Sequence, residues 1–293
     1  IFAALISGGT LCLPGDDEIH TPERLANFMQ RHAVDVLKTS PSFLDAVLEI
    51  EAPERLLPKR LLMFGGEVLT RTLIRKVHML QPELDVRNHY GPTETAIGVA
   101  MSVDGVNEDD RPAIGKPFSH VKAAILDEFS RLAPMGTSGE LHIGGRSVAR
   151  GYIGQDGETA AKFVERELFG TPERYYRTGD RVRWLADGQL AFLGRVDDQA
   201  KIRGIRIEPC EVDAVALSTG LVRESATVVQ VDEHGEPRLL SYVVATTDFA
   251  TKHAALVDEL ERERVTEWEH THDDVYRALR SASVADARAN TIG

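Results

Sequence analysis

Cysteine is scarce in this chain: Cys12 and Cys210 are the only two among 293 residues. Two cysteines so far apart supply neither a disulfide framework nor a zinc-ligand set, and both read as reduced thiols of a cytoplasmic protein. Positive charge is in deficit. Thirty-four Lys and Arg stand against 46 Asp and Glu, a formal net charge of −12. That balance excludes a broad nucleic-acid-binding face, which needs clustered cations, but not a small anionic ligand held by a few local groups. No apolar run approaches the ~20 residues needed to cross a bilayer, so no membrane is implied. Ile1 to Leu13 is apolar, yet Gly8-Gly9 interrupts it and no basic segment precedes it, so it does not read as a signal peptide. There is no internal repeat, no low-complexity tract, and no Ser-His-Asp or Cys-His constellation. The first residue is Ile and the last stretch ends mid-pattern, so the chain reads as a fragment cut at both ends.

What is present is globular, with 42% hydrophobic residues. Val34 to Leu37, Arg60 to Phe64 and Leu84 to Asn88 read as strands. Between them lie helical patterns, one capped by Ser40 with Pro41 at its first position, the other, Thr70 to Leu80, capped by Thr70. Strand–helix alternation at this spacing predicts a parallel sheet covered by helices. From about residue 110 the texture changes to β-rich, with strands at Val121 to Leu126, Glu140 to Ile143, Val182 to Leu185 and Gln189 to Leu193. Asp187-Gly188 is a hairpin signal between the last two. A small α/β unit begins near 198, with strands near Ala226 to Val231 and Leu239 to Ala245, and Lys252 to about Arg280 is charged and helical.

Four segments could carry chemistry. Asn88-His89-Tyr90-Gly91-Pro92-Thr93-Glu94 leaves the carboxyl end of the third strand, the edge where open α/β sheets bind ligands. Its tight Gly-Pro turn exposes a hydroxyl suited to a phosphate oxygen and a carboxylate suited to magnesium, while Tyr90 offers a flat face for a base. Gly139 to Gly145, continuing through Arg150-Gly151-Tyr152, is a strand and glycine-dense turn without the spacing of a Walker A loop. In Tyr176-Arg177-Thr178-Gly179-Asp180, a carboxylate held by a turn could accept from a ribose diol. Gly194-Arg195-Val196-Asp197 is followed by Lys201-Ile202-Arg203-Gly204-Ile205-Arg206, in which Arg195 could reach a phosphate or ribose oxygen and the other cations could be a solvated hairpin face. Each segment alone also has an ordinary structural reading as a turn, a bulge or a solvated face.

Taken in order, the four segments resemble the core motifs of the adenylation domains of nonribosomal peptide synthetases, within the superfamily that also holds acyl-CoA synthetases and luciferases. The resemblance covers residues 1 to about 247. It implies an α/β protein of the adenylate-forming (ANL) fold: a parallel-sheet α/β subdomain (1–108), a β-barrel-like subdomain (109–196) and the start of a small α+β lid (197–250). It implies an ATP-dependent ligase that makes an aminoacyl-adenylate and transfers it to a phosphopantetheine thiol, with a peptidyl carrier domain and a condensation domain as partners. Through it, Thr93 is expected on the α-phosphate, Glu94 on Mg²⁺ and Tyr90 on adenine. Asp180 and Arg195 fall to the ribose, Asn88 and Gly91 to the nucleotide site, Asp197 to a hinge, and Gly204 to the approach of the phosphopantetheine arm. Lys38, Met63, Gly65, His89, Ile97 and Gly98 fall at the substrate pocket, in an order resembling aspartate-activating domains. Lys38 would be the point charge for the acidic side chain and His89 a second donor. An acyl- or aryl-CoA ligase and a non-catalytic remnant of the fold are the alternatives.

The chain also departs from the pattern. The Ser/Thr/Gly-rich phosphate loop is expected upstream of Ile1, and the lid lysine in its Asn-Gly-Lys context is missing. There is no Pro after Pro237, and Glu208-Pro209-Cys210-Glu211 stands where Leu-Gly is commoner in the middle. Residues 1–293 alone are therefore not expected to complete catalysis. The tail, with Trp268 and Tyr276, resembles the entry to a methyltransferase domain inserted into the lid, which places a helical linker at 251–293 and an S-adenosylmethionine site beyond Gly293.

Overall fold

The computed structural model describes residues 2–103, 113–202, 205–231 and 237–249, together with 251 and 253. The segment after 253, and with it the expected linker and its Trp268 and Tyr276, lies outside the described residues. The chain divides into two compact units, Ile1–Ile207 and Glu208–Gly293.

The first unit opens with helices α1 (Phe2–Ile6), α2 (Asp16–Ile19) and α3 (Pro22–Arg31) and then builds a sheet. Its strands are β1 (Val36–Thr39), β2 (Leu61–Gly65), β3 (Asp85–Tyr90), β4 (Ala100–Val103) and β5 (Lys116–Pro117), in that spatial order. Helices α4 (Pro41–Val47) and α5 (Arg71–Leu80) connect the first three strands, and both caps are made: Ser40 accepts from the amide of Phe43 and Thr70 from that of Leu73. Each cap satisfies one amide that the helix cannot pair internally. Alternate strand residues face the helices, so Leu62, Phe64 and Val86 form one core with Leu44, Leu73 and Val77. The strand expected at Val34 to Leu37 lies two residues later.

The sheet is parallel only through β1, β2 and β3; β3–β4 and β4–β5 are antiparallel. The link from Tyr90 to Ala100 is too short for a helical crossover, so the chain must reverse. It does so through Ala96 and Ile97, both left-handed at φ +61 and +71. A β-branched residue at positive φ is a strained one.

A second, curled sheet has the order β10-β9-β7-β6, formed by β6 (Val121–Leu126), β7 (Gly139–Gly145), β9 (Pro172–Trp184) and β10 (Leu190–Arg195), with β8 (Phe163–Glu167) also on β9. Helix α6 (Asp156–Lys162) precedes β8. The predicted hairpin at Asp187-Gly188 joins β9 to β10. Val99, Ile125, Leu141, Val182 and Leu190 form its core, against which Tyr90 packs. The unit ends on the hairpin β11 (Ala200–Ile202) and β12 (Ile205–Ile207).

In the second unit, α7 (Pro209–Ser218) precedes the antiparallel pair β13 (Val222–Val231) and β14 (Pro237–Ala245). Asp213 on the helix accepts from the hydroxyls of Ser225 and Thr227 and from the Thr227 amide, which pins helix to hairpin.

Candidate functional site

The exit of β3 meets β9 twice. At the first meeting, the Tyr90 hydroxyl donates a short hydrogen bond to Asp180 Oδ2, and Arg195 Nη1 donates to Oδ1 at 2.7 Å. Arg195 reaches on to Asp197 with Nε at 2.6 Å and Nη2 at 2.7 Å. The cation thus bridges two carboxylates. Burial pushes the Asp180 carboxyl above its usual range, against the opposing pull of Arg195 and Tyr90. Burial, then the neighbouring Asp180 charge, pushes the Tyr90 phenol well above 10.

Asp180 was expected in a turn but lies inside the long strand β9. The strand kinks at Gly179, φ +72, where the β7–β9 register slips between Glu140 and His142. A Cβ on Gly179 would stand 2.5 Å from Arg195 Nη2 and from Asp197 Oδ2, so the ion-pair network requires glycine for space as well as for backbone angle. Glu140 supports the kink from beneath. It accepts from the Gly179 amide at 3.3 Å and from Arg177 at 3.0 Å. Burial opposes its ionisation, but His142 and Arg177 prevail and hold its pKa at about 2.

At the second meeting, Glu94 Oε1 accepts from the Tyr152 hydroxyl at 2.7 Å and from Arg206 Nη1 at 2.8 Å. The Tyr176 hydroxyl lies 3.4 Å from that of Tyr152. Glu94 is 7% exposed, and its Oε2 is buried with no hydrogen-bond partner among the described residues. Burial raises the carboxyl, yet the Tyr152 hydrogen bond and the Arg206 charge bring it below its usual value. Tyr152, Tyr176 and Arg206 carried no assigned role in the sequence. The first two stand inside the segments read as motifs, and Arg206 was counted with a solvated hairpin face.

No cluster of three or more His, Cys, Asp or Glu among the described residues is placed to hold a metal alone. Magnesium is ordinarily held by one or two carboxylates plus substrate phosphates. A buried carboxylate with one free oxygen fits that requirement, so Glu94 suits the ion when a nucleotide brings its phosphates. Thr93, beside it, is exposed. Asn88 is buried, and its side-chain amide donates to the Ala113 carbonyl at 3.3 Å.

Four of the six expected pocket positions lie on adjacent strands β1, β2 and β3, and Ile97 and Gly98 lie in the loop after β3. Lys38 pairs in register with Met63, and Gly65 with His89. Lys38 Nζ stands 3.2 Å from His89 Nδ1. An ammonium can only donate, so Nδ1 accepts and a neutral His89 carries its proton on Nε2. Partial burial lowers the Lys38 pKa, and burial together with the Lys38 charge lowers that of His89. A Cβ at Gly98 would overlap the His89 imidazole, and one at Gly91 would overlap the backbone of Ile97. Glycine at 98 therefore makes room for the ring. Ile97 is exposed beside it. Lys162 Nζ lies 3.8 Å from Asp197, while Gly204 and Arg203 lie outside the described residues.

The AMP-binding enzyme family matches residues 1–153, just over half of the chain. The chain belongs to the family of AMP-binding enzymes. Tyrocidine synthase 2 of Brevibacillus parabrevis is 37% identical over 246 residues, which cover 84% of this chain and 7% of that protein. The solved structure of PA1221, an NRPS protein containing adenylation and PCP domains, superposes with a TM-score of 0.71 at 28% identity, covering 85% of this chain and 50% of that one. The adenylation domain AlmE of Vibrio cholerae, solved in complex with glycyl-adenosine-5'-phosphate, gives 0.64 at 28% identity, covering 75% and 43%. This AMP-binding chain thus has the adenylation-domain fold, spans half or less of those two solved proteins and matches only a small part of the synthase. Among the described residues, no helix is long and apolar enough to cross a membrane.

Proposed function

We propose that the chain is part of the amino-acid-activating adenylation domain of a nonribosomal peptide synthetase, which joins ATP and an amino acid into an aminoacyl-adenylate and pyrophosphate. The observation that carries this reading is the double meeting of the β3 exit with β9. It sets the Glu94 carboxylate and the Asp180–Arg195 pair along one edge. Adenylation is an in-line attack of a carboxylate on the α-phosphate. It needs two anions aligned and their charge screened, and no nucleophilic side chain. In this reading Asp180 accepts from the ribose hydroxyls and Arg195 supports it. Thr93 donates to the α-phosphate, and Tyr90, Asn88 and Gly91 shape the nucleotide site. Magnesium bound at Glu94 would neutralise phosphate charge as the bond to pyrophosphate breaks. Residues 1–108 and 109–196 form the two subdomains of the core, 197–250 begin the lid, and Asp197 is the hinge.

The amino acid we propose is aspartate. Lys38 meets the side-chain carboxylate, His89 Nε2–H is a second donor, Gly65 leaves room, Gly98 admits the His89 ring, and Met63 and Ile97 form walls. The product passes to a phosphopantetheine thiol on a peptidyl carrier domain, approached near Gly204, in an assembly with a condensation domain. In the cytoplasmic full-length protein, a methyltransferase that binds S-adenosylmethionine follows 251–293. Binding of S-adenosylmethionine by that protein, measured calorimetrically, tests this last point. A chain that instead runs directly into a carrier domain refutes it.

Amino-acid-dependent ATP–pyrophosphate exchange by the full-length protein tests the core reading. Glu94→Gln should lower exchange by roughly 10²-fold or more, through loss of metal and charge stabilisation. Asp180→Asn should mainly raise the KM for ATP. Near-normal kinetics in both variants sink the assignment. Exchange driven by aryl or fatty acids instead of amino acids identifies a CoA-ligase-type enzyme, and none at all a remnant.

A further inference from the structure

Arg206 lies on the hairpin β11–β12, where it pairs in register with Lys201, yet its side chain leaves the hairpin for a partner 112 residues away. Its guanidinium bonds Glu94 Oε1 at 2.8 Å, with Glu94 at 7% and Arg206 at 34% side-chain exposure. Burial disfavours the Arg206 charge, but the Glu94 carboxylate prevails and keeps it firmly protonated. Only one carboxylate oxygen is engaged by this network; Oε2 is left without a partner among the described residues. The Tyr152 hydroxyl is the other donor to Oε1, so Arg206 is the charged partner of the carboxylate. A divalent cation arriving at the same carboxylate would face a fixed positive charge a few ångströms away in a partly dry setting, where like charges repel strongly.

We propose that Arg206 is a resident counter-ion for Glu94 that opposes the divalent cation, so that the carboxylate holds metal more tightly when the β11–β12 hairpin releases it. This rests on the reading of Glu94 as a metal ligand. Arg206 is a positioning residue here: it acts through Glu94. The hairpin follows Asp197 directly, so movement of the chain beyond that residue would change the metal affinity of a carboxylate on β3's exit.

The measurement is a binding ratio, not turnover. The full-length protein is titrated with a non-hydrolysable ATP analogue in the presence of Mn²⁺ and again in EDTA, and the metal's enhancement of analogue affinity is compared among variants. Arg206→Gln should raise that enhancement by about fivefold or more, the scale of one partly exposed ion pair. Arg206→Lys, which keeps the charge, should leave the enhancement near its wild-type value. On a Glu94→Gln background Arg206→Gln should have no effect, which separates competition at Glu94 from a direct attraction of Arg206 for phosphate. An unchanged or smaller enhancement in Arg206→Gln, or an equal rise on the Glu94→Gln background, overturns the proposal. If Glu94→Gln alone leaves the enhancement at its wild-type value, the metal-ligand reading itself fails, and the proposal with it.

Discussion

Replacing Lys38 with Met tests the substrate assignment through one contact. Lys38 and Met63 share a row of the sheet, and the Lys38 ammonium already lies 3.2 Å from His89 Nδ1, so the charge is aimed along the β1–β3 face and not at a protein carboxylate. Glu67, just beyond the end of β2, accepts from the Ser42 amide at 2.9 Å and from its hydroxyl at 2.7 Å. Lys38 is exposed, so its pairing with a substrate carboxylate falls between an open ion pair and a charge-assisted hydrogen bond, about 1–3 kcal/mol. Lys38→Met should therefore lower kcat/KM for aspartate by about 5- to 150-fold and leave that for leucine unchanged or higher. The pH dependence adds a second constraint. The wild-type Lys38 pKa lies below 10.5, so aspartate activation should decline as pH rises and the ammonium is lost. His89 is held below 6.5 by burial and by the Lys38 charge. Without that charge its pKa rises, so imidazolium forms at a higher pH than in the wild type, and the variant should regain some aspartate activation as pH falls. Amino-acid-dependent pyrophosphate exchange across pH, with aspartate, asparagine, glutamate and leucine, reads all of this. Unchanged aspartate activation in Lys38→Met, or a wild-type preference for leucine, would refute the reasoning.

Two further substitutions test the support of the nucleotide edge. Gly179→Ala places a side chain at φ +72 against the Arg195–Asp197 pair. It should cost about 1–2 kcal/mol in backbone strain alone and weaken ATP binding, read by thermal unfolding and nucleotide titration; wild-type values in both would show that the kink is dispensable. Glu140 has a folded pKa of about 2, below its ordinary 4.5, so its stabilisation is complete above about pH 4.5 and is lost as pH falls towards 2. Glu140→Gln should lower stability by roughly 1–3 kcal/mol at neutral pH, with the gap to wild type closing below pH 3; a gap independent of pH would contradict the ionic support.

Local signals were legible because they depend on near neighbours. Ser40 with Pro41, Thr70, and Asp187-Gly188 act within a turn of their own backbone, and each does what its chemistry predicts. The period-two alternation of β2 and β3 likewise sets which residues face the core and, by elimination, which face the other side of the sheet. The order of four motifs was enough to suggest the family. The reversal of the sheet after β3 was not visible, because two left-handed residues, Ala96 and Ile97, have no sequence signature. The kink at Gly179 looked like a turn because glycine and aspartate mark turns and bulges alike, and only the pairing of β9 with β7 distinguishes them.

The sequence by itself determined helices α4 and α5, most strands and the candidate residues Lys38, His89, Tyr90, Glu94, Asp180 and Arg195. Tertiary structure decided which of them meet. Asp180 lies 90 residues from Tyr90, and Arg206 lies 112 from Glu94. No periodicity reports a contact at that range, since it depends on how strands order and curl and not on local propensity. An arginine alternating along a hairpin is a solvated cation by every local rule. It becomes the partner of a buried carboxylate only because the fold brings β12 to the exit of β3.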